Sequence, residues 1–207
     1  MSGKPNSDRR RLRRQATQAE IVAAAWALVS NNGLAGLSMR ELGQRVGMRA
    51  QSVYSYFASK HEIYDAMFLE GYQAFAEWMS GAVDDDRPVT DPAGAAKDAA
   101  HAFVEFCTTD TARFQLLFQR TIPGFTPSPD SYAVAQRTYQ QMAEQMAILG
   151  IDDQATLDLW TATLTGLASQ QISNDPGGDR WKQLIDRAVE MLLSDIGTTT
   201  QPESELT

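Results

Sequence analysis

Residues 38–60 read Ser-Met-Arg-Glu-Leu-Gly-Gln-Arg-Val-Gly-Met-Arg-Ala-Gln-Ser-Val-Tyr-Ser-Tyr-Phe-Ala-Ser-Lys, a stretch that encodes two short helices meeting at a glycine turn. Ser38 and Glu41 stand at capping-box spacing, Met39, Leu42 and Val46 supply an apolar stripe, and Gly47 ends it. After Met48 a further short helix is predicted over 50–57, with Val53 and Phe57 inward at i,i+4 and Gln51, Ser52 and Ser55 left outside. Two such helices across a glycine turn make a helix-turn-helix candidate.

Upstream, Ile21, Ala24, Ala25, Leu28 and Val29 recur on one helical face, which predicts a first helix from Thr17 as N-cap to Asn32 with Gly33 as its left-handed stop. Downstream, Ser59-Lys60-His61-Glu62 is a second capping box. It opens a long fourth helix to about Val83, carrying Ile63, Met67, Gly71, Ala74, Phe75, Trp78 and Met79 on one face and tying the head to the rest. Asp84, Asp85, Asp86, Pro88 and Pro92 then predict a loop over 84–92. Helices are predicted over 93–108, 110–120, 130–149, 152–173 and 180–195, parted by proline and glycine; no strand alternation and no internal repeat is found. The expected fold is all-α. Its divisions are a flexible basic arm (1–16), a helix-turn-helix domain (17–60), a helical body (61–197) and a disordered tail (198–207).

At 207 residues and 43% apolar content the chain can bury a core, which excludes disorder throughout. The formal charge of -8 conceals a division of sign. Residues 1–60 hold ten basic and three acidic side chains, and residues 61–207 hold eight and twenty-three. Five of the basic residues are Arg9, Arg10, Arg11, Arg13 and Arg14, a self-repelling block expected to stay flexible until it meets negative charge. A phosphate-tracking arm and a solvated tail fit that block equally.

The longest apolar run, Ile21 to Val29, has nine residues, far short of the roughly 20 a bilayer crossing takes. Arginines before an apolar run bring a secretory leader to mind, but Glu20 interrupts the approach and no small-residue cleavage site follows Val29. The single cysteine, Cys107, excludes an intrachain disulfide and a Cys-rich zinc site and fits a reducing cytosol. A cytoplasmic location is therefore expected.

A helix-turn-helix reads duplex DNA because its second helix fits the major groove while the first crosses the backbone. The residue types agree. Arg49 can donate to guanine O6 and N7 or to phosphate, Gln51 can bond bidentately to adenine, Ala50 offers a methyl to thymine, and Ser52, Ser55 and Tyr56 can reach bases or phosphates. Lys60 opens the fourth helix, where free N–H groups favour a phosphate. Tyr54 either packs its ring or sets its hydroxyl on a phosphate, and Ser38 completes the candidate set at the start of the second helix.

The run Ser38-Met39-Arg40-Glu41-Leu42-Gly43, Val46-Gly47-Met48 and Val53-Tyr54-Ser55-Tyr56-Phe57-Ala58-Ser59-Lys60 resembles the TetR family of bacterial regulators, and Ala25 and Gly33 fit it as well. The resemblance covers about residues 17–64; beyond them only length and helical layout are similar. By position it implies that Arg40, Gln51, Ser52, Tyr54, Tyr56 and Lys60 contact DNA. Two residues depart from the family's pattern: Arg49 stands where a small capping residue is usual, and Gly43 where alanine is commoner.

The middle helices carry Phe103, Phe106, Cys107, Phe114, Leu117, Phe118, Tyr139, Met142, Met146, Trp160 and Thr163, an aromatic and methionine surface that serves either as plain core or as the wall of a pocket for a small apolar or amphipathic effector. The resemblance implies that such a pocket exists in the body, and the loop Thr121 to Pro129 is a candidate lip. The last two predicted helices show apolar faces: Trp181, Leu184, Ile185, Ala188, Val189, Leu192, Leu193 and Ile196 on one, and Ala162, Thr165, Gly166 and Ser169 opposite Leu164 and Leu167 on the other. These faces suit either intrachain packing or a four-helix homodimer interface, and a palindromic operator needs the dimer.

The function so predicted is a ligand-responsive transcriptional regulator, a repressor released from its operator by the effector, with no cofactor, no metal and no enzymatic activity. The alternatives are a protein-binding adaptor on the same fold and a metal-dependent enzyme using His101 and Glu105, which stand at i,i+4 with Cys107 as a further candidate but have no second histidine nearby in sequence. No phosphate loop, nucleophile elbow or zinc-helix motif occurs.

Overall fold

The computed structural model describes residues 4–82 and 91–199, and among them every regular element is helical, the all-α fold expected from the sequence. The order is α1 (Lys4–Asn32), a 3-10 turn (Leu34–Gly36), α2 (Met39–Arg45), α3 (Ala50–Tyr54), α4 (Lys60–Ala82), α5 (Pro92–Thr109), α6 (Thr111–Phe118), α7 (Pro129–Ile148), α8 (Gln154–Asn174), a second 3-10 turn (Lys182–Leu184) and α9 (Ile185–Thr199). The part of the predicted acidic loop over 84–90, and the predicted tail beyond Thr199, lie outside the described residues. Two compact units divide the chain, one drawn from Met1–Gly71 with Gln115–Tyr132 and the other from Tyr72–Phe114 with Ala133–Thr207. By chain continuity α4 contributes its first turns to one unit and the remainder to the other.

The first unit is built on the apolar face read from the sequence. Ile21, Ala25 and Val29 of α1, Leu42 of α2, Val53 of α3 and Ile63 and Met67 of α4 are all buried. Burial of that kind stabilises by about 25 cal/mol per Å² of apolar surface removed from water. Two polar ties cross this core: the Tyr64 hydroxyl donates to the Leu34 carbonyl at 2.6 Å, and the Trp26 indole N–H donates to Glu70. The second capping box forms in part: Glu62 N–H donates to Ser59 Oγ at 3.2 Å, while the Glu62 carboxylate reaches one residue past the N-cap and accepts from Ala58 N–H at 2.7 Å.

Four local expectations are corrected. α1 begins at Lys4, so most of the block expected as a flexible arm is helix and Thr17 is an interior residue rather than an N-cap. Arginine has a helix propensity close to alanine's, an Asp8–Arg11 pair at i,i+3 (3.3 Å) sits on the exposed surface, and spreading the arginines around the helix relieves their repulsion. Ser38 stands at the N-cap of α2 with an extended backbone, but its side chain makes no capping bond. α3 ends at Tyr54 rather than Phe57; its last turn tightens to i,i+3 bonds, Ser55 N–H on Ser52 O at 3.1 Å and Tyr56 N–H on Val53 O at 2.9 Å, with Ser55 Oγ also donating to Ser52 O at 2.6 Å. α9 starts at Ile185, after a 3-10 turn instead of a continuous helix from 180.

The loop after α6 belongs with the first unit. Phe125 lies edge-on to Tyr64 at 5.8 Å and to His61 at 6.0 Å, and Asp65 accepts from Ser128 N–H (2.7 Å), Ser128 Oγ (2.8 Å) and Ser131 Oγ (3.0 Å). The candidate lip of a body pocket is thus held to the first turns of α4.

The second unit packs α5 against α8 and α9. Asp91 caps α5 by accepting from Gly94 N–H at 2.9 Å, with Pro92 in the first turn, and Asp153 caps α8 through Thr156 N–H at 3.0 Å. Ala96, Ala100, Val104, Cys107, Leu164, Ala168, Ile185 and Val189 fill the seam. Along its edge run three polar contacts in antiparallel register: the ion pairs Lys97 with Glu190 (2.6 Å) and Glu105 with Lys182 (2.6 Å), and between them a hydrogen bond joining His101 Nε2 and Asp186 Oδ1 (2.7 Å). Ile185 and Val189 are therefore core within one chain, which removes them from the face offered above for pairing two chains.

Candidate nucleic-acid interface

The surface carried by α2 and α3 starts from the glycine turn. Gly47 adopts φ +68°, a left-handed conformation that would strain any other residue, and Met48 N–H closes the turn on Gly43 O at 2.7 Å. A Cβ on Gly43 would lie 2.8 Å from Met48 O and 3.1 Å from Ala50 N, so the glycine lets the start of α3 sit directly on α2. Its departure from the commoner alanine is the counterpart of that close approach. Arg49 is the N-cap of α3 in an extended conformation, without a side-chain capping bond; its carbonyl receives Ser52 N–H at 2.8 Å. The missing cap leaves the guanidinium on the surface.

Val53 and Phe57 anchor α3 from below, which turns the remaining positions outward. Arg40, Arg49, Gln51, Ser52, Tyr54, Ser55 and Lys60 are exposed, and Ser38, Ala50 and Tyr56 are half-buried. Tyr54 keeps 45% of its surface in solvent, so its ring is not core. Among the described residues Arg40, Arg49 and Lys60 have no ion-pair partner, which leaves three uncompensated cations on the surface of the head. Ser55 is the weakest of the set, because its hydroxyl already bonds Ser52 O.

Two residues outside the predicted contact set, Arg14 of the basic block and Gln18, reach the end of α3. Arg14 donates to Ser55 O at 2.9 Å with its guanidinium over the Tyr56 ring at 5.1 Å, and Gln18 donates to Tyr56 O at 3.3 Å. The i,i+4 spacing of Arg14 and Gln18 was the available signal, hidden because the helix was started at Thr17.

The eleven candidate effector residues fall in both units. Leu117 and Phe118 belong to the first, where Leu117 lies against Gly71 of α4; the other nine belong to the second. Phe106, Cys107, Phe114, Met146 and Trp160 are buried, Phe103, Met142 and Thr163 are half-buried, and Tyr139 is exposed with its hydroxyl accepting from Gln154 at 2.9 Å. Within the second unit Phe75 is tilted against Phe106 at 5.0 Å and edge-on to Phe103 at 5.9 Å. Burial pushes the Cys107 thiol well above its ordinary range, so it is a protonated, apolar group at neutral pH. An open cleft of about 240 Å³ in the same unit is lined by Thr108, Thr111, Ile172, Pro176 and Lys182 among others, and by none of the eleven.

His101 and Glu105 do not converge on a site. Each spends its polar end on α9 or the turn before it, and among the described residues no group of three His, Cys, Asp or Glu side chains is placed to hold a metal ion. Among those residues no helix is long and apolar enough to cross a membrane.

Residues 21–67, which contain α2, α3 and the start of α4, match the family model described as bacterial regulatory proteins, tetR family. The HTH-type transcriptional regulator Rv1816 of Mycobacterium tuberculosis is 31% identical over 126 residues, 60% of this chain and 53% of that protein. The chain thus spans about half the length of the curated relatives it matches. Among solved structures, the fatty acid degradation regulator FadR from Bacillus halodurans shares the fold at a TM-score of 0.66 and 15% identity, over 85% of this chain and 94% of that one. FadR from Bacillus subtilis, solved in complex with stearoyl-CoA, does so at 0.62 and 15%, over 85% and 97%.

Proposed function

The chain belongs, through its head, to the tetR family of bacterial regulatory proteins, and from that premise we propose that it is a homodimeric repressor that reads a palindromic operator and lets go when a small apolar or amphipathic effector enters its body. The observation that carries the reading is the unpaired cationic and amide-bearing surface of Arg40, Arg49, Gln51, Ser52 and Lys60, held over the buried Leu42 and Val53. In a major groove Arg49 and Gln51 discriminate bases, while Arg40, Tyr54 and Lys60 fix the register on phosphates.

Two copies present two such surfaces about a two-fold axis. Support for the pairing face comes from exposed apolar residues on the outer sides of α8 and α9, Leu159 (52% exposed) and Met191 (64%), beside the small Ala162 and Gly166. For the effector class, the support is the aromatic and methionine content of the body together with the acyl-CoA bound by the B. subtilis FadR of the same fold. Release requires the effector to prefer the DNA-incompetent arrangement, and a switch from 1:99 to 99:1 takes about 5.5 kcal/mol of differential binding. α4, which runs through both units, is the element on which effector and operator compete.

Selection of bound sequences from a random duplex pool, using the full chain, tests the reading. A two-fold symmetric consensus supports it; recovery of sequences no different from the input pool rejects it.

A further inference from the structure

The arginine block divides by what each side chain touches. α3 is five residues long, and its C-terminal turn ends on two carbonyls, Ser55 O and Tyr56 O, that an isolated helix would leave to water. α1 supplies both donors from one face. Arg14 donates to Ser55 O at 2.9 Å and Gln18, one turn later, donates to Tyr56 O at 3.3 Å. The Arg14 guanidinium also stands 5.1 Å from the centre of the Tyr56 ring, and a cation suits the negative end of a helix. At this place α1 must already be helical upstream of Thr17, which is where the structure extends it.

We propose that Arg14 and Gln18 are positioning residues for the recognition helix: they hold the C-terminal turn of α3 by its carbonyls, so Arg14 sets the aim of α3 inside the head instead of neutralising a phosphate. The proposal rests on the head reading duplex DNA, and it makes a second claim about the free protein. The basic extension is then not one undifferentiated polycation. Arg14 is spent on the protein, whereas Arg10, one turn earlier on the same face, has no ion-pair partner among the described residues.

Two measurements on Arg14→Ala, Arg14→Lys and Gln18→Ala decide it. In the free protein, amide exchange at Tyr56 and Phe57, which donate to Val53 O at 2.9 and 3.1 Å, should quicken about fivefold in Arg14→Ala and Gln18→Ala while α4 amides stay unchanged. In DNA binding, Arg14→Ala should weaken the selected operator about fivefold, leave a scrambled duplex within about twofold, and leave the salt slope as it was. Arg14→Lys, which keeps a donor and a cation, should recover part of the loss. Unchanged exchange overturns the clamp. Equal losses on both duplexes, with a slope shallower by about 0.9, overturn it differently, by making Arg14 a phosphate contact. If the unaltered protein prefers no duplex, the reading of the head fails on its own, and the exchange measurement still decides the clamp.

Discussion

At the scale of single residues, the head assigns different work to side chains that look alike in the sequence. Gly47 holds φ +68° without the steric cost that a Cβ such as alanine's meets there, so Gly47→Ala should cost about 1–2 kcal/mol, read as a lowered thermal midpoint. Gln51 and Lys60 both stand exposed on the head, but one carries an amide and the other a bare charge. Gln51→Ala should relax preference at one base position, a loss of about 1–3 kcal/mol on the best site and little on others. Lys60→Ala should weaken every duplex alike and flatten the salt slope by about 0.9. Titration of each variant against the selected and a scrambled duplex at several salt concentrations separates the two. What the sequence made legible here was the burial pattern: Leu42, Val53, Phe57 and Ile63 are core as their spacing required. What it hid was hydrogen-bond partnership. Nothing local to Ser38 says that its hydroxyl leaves the cap unmade, and nothing near Arg14 says that its partner is forty-one residues away.

At the scale of elements, α5 and α9 show how a charge pattern becomes register. Lys97, His101 and Glu105 step along α5 four residues at a time and meet Glu190, Asp186 and Lys182 in reverse order. The hydrogen bond from Lys182 holds the Glu105 carboxyl below the usual range, so this pair stabilises the body above the ordinary carboxylate pKa and loses its effect as pH falls through the folded value. The Glu190 hydrogen bond raises the Lys97 ammonium, so that contribution is present at neutral pH and fades only as pH rises through its raised value. Because the Glu105–Lys182 pair is part-exposed, Glu105→Gln should cost only about 0.5 kcal/mol at pH 7 and make the acid limb of the stability profile less steep, as thermal melts between neutral and acid pH would record. The ladder's charges are plain in the sequence, but reading His101 with Glu105 along one helix suggested a metal pair. The structure sends each across to the neighbouring element. Helix boundaries follow the same logic: Pro92 and Gly150 announced the starts of α5 and α8, and the structure adds Asp91 and Asp153 as their caps. The upstream turns of α1 carry no such punctuation, since their docking onto the end of α3 is tertiary.

At the scale of the whole molecule, reading a palindrome needs two heads, and the proposed pairing face makes a quantitative demand. α9 turns Ile185 and Val189 into its own chain, so the proposed face rests on apolar side chains left outside among the described residues, chiefly Met191 on α9 and Leu159 with the flanking Ala162 and Gly166 on α8. A carboxylate set into that surface stays solvated in a single chain, yet must be desolvated when two chains close on it, a penalty of several kcal/mol for an unpaired charge. Leu159→Glu and Met191→Glu should therefore leave the thermal unfolding of the isolated chain nearly unchanged while moving the molecule from dimer to monomer in sedimentation. The same variants should bind a single half-site as the unaltered protein does and lose the advantage of the full palindrome, because the second contact is no longer delivered at the high effective concentration that a dimer provides. A variant that stayed dimeric with glutamates at both positions would place the pairing surface elsewhere on the chain.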